Sequence, residues 1–89
     1  MIAEYEELKR EVMEVDSEIL QLIKRRQEIF HRIGDIKRRK GLPLVDQNEI
    51  ASRMIHFREV AIKLSLDPRA VQPIMETLEH MALRAQREG

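Results

Sequence analysis

Arg26 and Lys37 are the two residues of this sequence whose types and spacing could do chemistry. Both lie in KRRQEIFHRIGDIKRRK, residues 24–40, inside a long helical pattern. Arg26 stands where that pattern asks for an aliphatic side chain. Lys37 follows eleven residues on, which at 100° per residue returns it to within about 20° of the same face. The axial separation is roughly 16 Å, and two long side chains can lean together across it. A guanidinium offers a planar fork matched to a carboxylate, and an ammonium is a compact donor. Together they could enclose a small anion. The plainer alternatives are an Arg26 that snorkels or pairs with an acid across the seam, and a Lys37 that joins Arg38, Arg39 and Lys40 in a solvated basic helix end favoured by the macrodipole. Lys37 fits that alternative less well than its neighbours, because it continues an apolar stripe through Ile23 and Phe30. Gln86 follows Leu78 and Ala82 on the inner face of the last helix, where a neutral amide could donate; its alternative is a fraying terminal residue.

Several chemistries are excluded. With no cysteine in the chain, thiolate nucleophiles, disulfides and cysteine metal sites are out. His31, His56 and His80 fall on different helices without a metal-binding pairing, so no metal is expected. There is no glycine-rich phosphate loop and no nucleophile elbow. Sixteen basic residues balance sixteen acidic ones, so no global field draws in nucleic acid or an anionic membrane. Any anion site is local. The opening MIAEYEELK is acidic and lacks a signal-peptide core, and no apolar run reaches membrane-spanning length; the expected location is cytoplasmic.

The elements that must position these residues are all helical. A chain of 89 residues that is 36% charged and nearly devoid of aromatics is one domain at most, rich in helix formers. Leu8, Val12, Val15, Ile19, Leu22, Arg26, Ile29, Ile33 and Ile36 alternate steps of four and three, a seam of about four heptads broken only by Arg26. Asp16, Ile23, Phe30 and Lys37 form a parallel stripe beside it. The first helix is predicted over about 4–40, stopped by Gly41 and Pro43. At 1.5 Å per residue it is roughly 55 Å long, more than two short helices can cover, so a second copy of the chain is expected along it. A second helix is predicted over 46–64, with Asp46 as its cap and Glu49 at capping-box spacing, on the stripe Ile50, Met54, Phe57, Ala61, Leu64. A third is predicted over 67–87, opened by Asp67 and Pro68, on the stripe Val71, Met75, Leu78, Ala82, Ala85. Pro73 predicts a kink there or a start delayed to about Gln72.

With these residues in place, the chain resembles the all-helical, type II class of chorismate mutases. The matching stretches are LKREVMEVD, KRRQE, GDIK, PLVDQNEI and LEHMALRAQ, in the family's order and at its separations from Leu8 to Gln86. The resemblance implies an all-α fold of one long and two shorter helices, intertwined with a second copy as a homodimeric bundle over residues 1–89. It implies the rearrangement of chorismate to prephenate on the route to phenylalanine and tyrosine, without a cofactor, by an enzyme that stands alone or is fused to another aromatic-pathway enzyme.

By that resemblance Lys37 and Gln86 are the catalytic donors, aimed at or near the ether oxygen of the substrate, and Arg26 holds one of its carboxylates. Lys9, from the other subunit, meets the second carboxylate. Asp46, Glu49, Ile50 and Ala82 fall on further substrate-binding positions. The reaction makes the same demands as the residues: a [3,3] shift needs no nucleophile or proton transfer, only a dicarboxylate held in a reactive chair and donors where charge builds on the ether oxygen. Some positions depart from the family pattern. Lys9 replaces an arginine and loses its fork, Glu49 and Ile50 replace an Arg-Glu pair, and Ala82 replaces a small polar residue. Activity with a raised KM is therefore expected. Two rival functions keep the fold: elimination of pyruvate from isochorismate, and a non-catalytic dimerisation or regulatory module.

Overall fold

The computed structural model describes residues 1–88, so Gly89, the last residue of the predicted domain, lies outside the described residues. It contains three helices, α1 (Ile2–Lys40), α2 (Gln47–Lys63) and α3 (Pro68–Arg87), and among the described residues no strand. The predicted all-α class and the three-helix order hold. Among the described residues no helix is long and apolar enough to cross a membrane.

Local chemistry sets the boundaries. Gly41 adopts φ 68°, ψ 26°, and the amides of Gly41 and Leu42 close back on the carbonyls of Arg38 and Lys37, the paired bonds of a Schellman stop. Asp46 caps α2 by accepting from the amides of Asn48 and Glu49 at 2.9 and 3.3 Å. Asp67 caps α3 by accepting from Arg69 at 3.0 Å, with Pro68 just inside. The delayed start expected from Pro73 does not occur, since α3 runs continuously from Pro68 with Pro73 within it. The bond Pro73 cannot make would have gone to the carbonyl of Arg69, an exposed residue whose backbone water can serve.

Helix α3 is the hub. It packs along the C-terminal half of α1 and against α2, whereas α1 and α2 make no close backbone approach to each other. Phe30, Ala82 and Ala85 form the central cluster, with Ile33 against it; Met75 and Ala61 are also buried. The third-helix stripe thus faces inward as predicted. On α1, however, the buried residues are Phe30, Gly34 and Lys37, so the helix packs on its own chain through the secondary stripe. Along the main seam, Leu8, Val12, Val15, Ile19 and Leu22 remain 49–60% exposed. The chain is 59 Å long and only 26 by 16 Å across, because the N-terminal half of α1 projects beyond the other two helices.

Candidate active site

The separation of α1 from α2 leaves a cavity of about 400 Å³ lined by Phe30, Ile33 and Lys37 on one side and Asn48, Glu49, Ser52 and Arg53 on the other. A second cavity of about 180 Å³ is lined by Ile50, Arg53, Glu79, His80, Leu83 and Gln86, among others. Arg53 borders both. A separate cavity of about 170 Å³ between α2 and α3 has mainly apolar walls, with Arg58 its one ionisable group; it is poorly suited to a dianion.

Lys37 is 8% exposed, carried inward by its place on the Phe30 stripe. Its Nζ donates to the Leu44 carbonyl at 3.2 Å and to Glu49 Oε1 at 2.7 Å. An ammonium has three donors, which leaves one for a ligand. Glu49 therefore does not complete the capping box predicted for it. A buried ammonium is a stronger partner than a solvent-exposed backbone amide, and Glu49 reaches across to α1 instead.

Gln86 is 3% exposed, which rules out the frayed terminal residue. Its Nε2 donates to the Ala82 carbonyl at 3.3 Å, and its Oε1 is buried without a partner. An amide so placed keeps one N–H and one acceptor uncommitted. Arg38 fixes this end of α3 by donating to the Gln86 carbonyl and pairing with Asp35 at 2.6 Å. The expectation of a wholly solvated Arg38 is corrected accordingly: the close approach of α3 brings a carbonyl within its reach.

Arg26 donates from Nη1 to the Leu78 carbonyl and from Nη2 to Glu79 Oε2, both at 2.9 Å, the pairing with an acid across the seam weighed above. Arg53 grips the same carboxylate with its fork, Nε to Oε2 at 2.8 Å and Nη2 to Oε1 at 2.7 Å. Both guanidinium groups lie over the Phe30 ring, at 4.8 and 5.0 Å from its centre, adding cation–π attraction.

Hydrogen bonding to Arg53 holds the Glu79 carboxyl below the ordinary value of 4.5, against the opposing pull of burial and with further help from Arg26. The same bond holds Arg53 above its ordinary value. A depressed carboxyl contributes stability that is fully present above about pH 4.5 and is lost as pH falls through the lowered value. Glu79→Gln should therefore melt below the wild type at neutral pH, with the gap closing in acid. Thermal melts of both proteins between about pH 3 and 7 check this; a gap that does not depend on pH would contradict it.

The other sequence-predicted residues are dispersed. Ile50 walls the smaller cavity, and Asp46 is occupied with capping. Ala82 sits in the core and offers Gln86 its carbonyl. Lys9 lies far out on α1, paired with Glu6 at 3.4 Å and over the Tyr5 ring, away from the two cavities that Lys37 and Gln86 line in its own chain. Sequence reasoning missed Arg53 and Glu79. The available signal was register: Arg53 lies three residues after Ile50 and four before Phe57, and Glu79 four after Met75 and three before Ala82, so both fall on the inward faces of their helices.

The family described as "Chorismate mutase type II" matches residues 8–87. The T-protein of Enterobacter agglomerans is 29% identical over 75 residues, covering 84% of this chain and 20% of that protein. This chain thus spans about a fifth of the length of that curated relative. No solved structure matches significantly.

Proposed function

The chain belongs to the type II chorismate mutase family, and from that premise we propose that it rearranges chorismate to prephenate on the route to phenylalanine and tyrosine, alone or as one domain of a larger enzyme. The observation that carries this reading is Lys37, an almost fully buried ammonium on the cavity between α1 and α2, at the lysine position of the family's G-x-x-K motif. In a concerted shift the ether C–O bond breaks as the new C–C bond forms, and negative charge grows on the departing oxygen. The uncommitted N–H groups of Lys37 and Gln86 are the donors for it. Arg26 spends two of its five N–H groups on Leu78 and Glu79, leaving three for a substrate carboxylate. Fixed donors of this kind need no reorganisation when the charge appears, which is why they accelerate the reaction.

The site is completed by a second copy of the chain. The exposed seam from Leu8 to Leu22 supports this, since covering each half-exposed aliphatic side chain contributes about 1 kcal/mol. Lys9, on the same projecting segment, would then reach the partner's site and meet the second carboxylate. Glu49 and Ile50, where the family has an Arg-Glu pair, lower the affinity and raise KM.

One experiment tests the whole reading. Purified protein should consume chorismate well above the uncatalysed rate, yield prephenate rather than pyruvate and salicylate, and scatter light with the mass of two chains; Arg26→Ala should lower kcat/KM. Turnover no faster than buffer would end the proposal. The engagement of Arg26 by Glu79 favours one rival, a non-catalytic module that senses an aromatic metabolite. Thermal stabilisation by a bicyclic transition-state mimic together with turnover would dismiss it.

A further inference from the structure

Resting on that reading, we infer that Arg53 is a substrate-binding residue, gripping a substrate carboxylate, and that Glu79 is the internal counter-ion that holds its guanidinium in position. The family resemblance assigns a role to neither residue: Arg53 lies outside its stretches, and Glu79 lies within LEHMALRAQ but at none of the positions it singles out.

Three observations converge on Arg53. First, the cation expected at position 49 is absent, and Glu49 is taken up by Lys37; Arg53 lies four residues later, one turn along the same face of α2. Second, Arg53 lines both cavities, between the walls that carry Lys37 and Gln86. Third, its guanidinium is preorganised by the Glu79 fork and the Phe30 face. The fork uses Nε and one N–H of Nη2. Three of five N–H groups remain, including both on Nη1, enough for a second carboxylate.

Charge supports the assignment. Two guanidinium groups share one carboxylate in this cluster, and the side chains of Arg26, Arg53 and Glu79 are only 24%, 30% and 13% exposed. A positive charge left over in a partly desolvated site is balanced by an anionic ligand group. Lys37 with Glu49 is already neutral. The excess therefore sits at the arginine pair, offset only at longer range by Asp46, whose carboxylate is bonded to the start of α2, and a dicarboxylate substrate supplies the missing charge there.

The test is the affinity of a bicyclic dicarboxylate transition-state mimic, measured by calorimetry beside chorismate kinetics. Arg53→Gln should weaken the mimic on the order of tenfold to a hundredfold, the loss of charge-assisted hydrogen bonds, and should raise KM far more than it lowers kcat. Arg53→Lys keeps the cation without the fork and should fall between, which also serves if Arg53→Gln does not fold. Glu79→Gln leaves one acceptor for the two-point fork while the guanidinium itself stays, so the mimic should weaken clearly less than in Arg53→Gln. A merely structural Arg53–Glu79 pair predicts instead that both partners' variants weaken alike, and that result overturns the inference. Arg53→Gln binding within twofold of the wild type overturns it too. If the wild type turns over chorismate and binds the mimic while Arg53→Gln changes neither, only this inference falls. A wild type that does neither removes the proposed function and this inference with it.

Discussion

Lys37→Ala should lower the rate of chorismate turnover on the order of a hundredfold or more, as removal of a preorganised donor to a developing oxyanion does. That corresponds to about 2.7 kcal/mol of lost transition-state stabilisation. The loss should fall on kcat as well as kcat/KM, because the ether oxygen carries its charge in the transition state and little before it. The fold should survive. Lys37 gives up a bond to the Leu44 carbonyl and a pair with Glu49, but the Glu49 side chain is 48% exposed and is rehydrated when its partner goes. The net stability change is about 1 kcal/mol. A helical, cooperatively melting Lys37→Ala protein with a rate within a few-fold of the wild type would remove Lys37 from the chemistry and leave it a structural cation.

The contrast between Lys37 and Arg53 marks how far the sequence could be read. Lys37 was visible because it continues a stripe on its own helix, and helical periodicity is a local property. The same periodicity placed the inward faces of α3 correctly and located the caps at Asp46 and Asp67, where side chain and amide lie within three residues of each other. It could not say which of two apolar stripes on α1 faces the rest of the chain. The regular heptad seam was the stronger pattern, yet the chain folds on Phe30, Gly34 and Lys37 and leaves Leu8 to Leu22 exposed. An apolar seam encodes burial, not the identity of the covering surface.

Partnerships between helices were the least legible. Glu49 chose Lys37 over its own helix terminus, and Arg38 found the Gln86 carbonyl, through contacts that exist only after α1, α2 and α3 assemble. The Arg26–Glu79–Arg53 cluster joins all three helices, with Arg26 and Glu79 separated by 53 positions and Arg53 and Glu79 by 26. No spacing rule reaches across those separations. What the sequence did offer was a conflict, an arginine in an aliphatic seam, and such local violations tend to mark functional sites.

Gly34→Ala should lower both the stability and the turnover of the protein. By propensity alone the substitution favours an α-helix by roughly 1 kcal/mol, so a stabilised protein is the naive expectation. Packing reverses the sign. A Cβ at Gly34 would come within 2.7 Å of Gln86 Cα, 2.9 Å of its carbonyl carbon and closer still to its oxygen. These are backbone atoms, which cannot rotate aside as a flexible side chain would. Carbon atoms pack best at about 3.5–4.0 Å, so α3 would have to retreat by about 1 Å along the line where it meets α1. A clash with backbone falls at the upper end of the about 1–3 kcal/mol that overpacking costs, so about 2 kcal/mol remains after the gain in propensity, lowering Tm by roughly 8–16 °C in a domain of this size. The shift would also carry the Gln86 amide off its position and stretch the Arg38 bond to the Gln86 carbonyl, and a misplacement near 1 Å can lower catalysis about a hundredfold. Melting and turnover should therefore fail together, even though Gly34 itself touches no ligand. A Gly34→Ala protein that melts above the wild type would mean that α1 and α3 are not in backbone contact at Gln86, and the placement of Gln86 beside the site would fall with that contact.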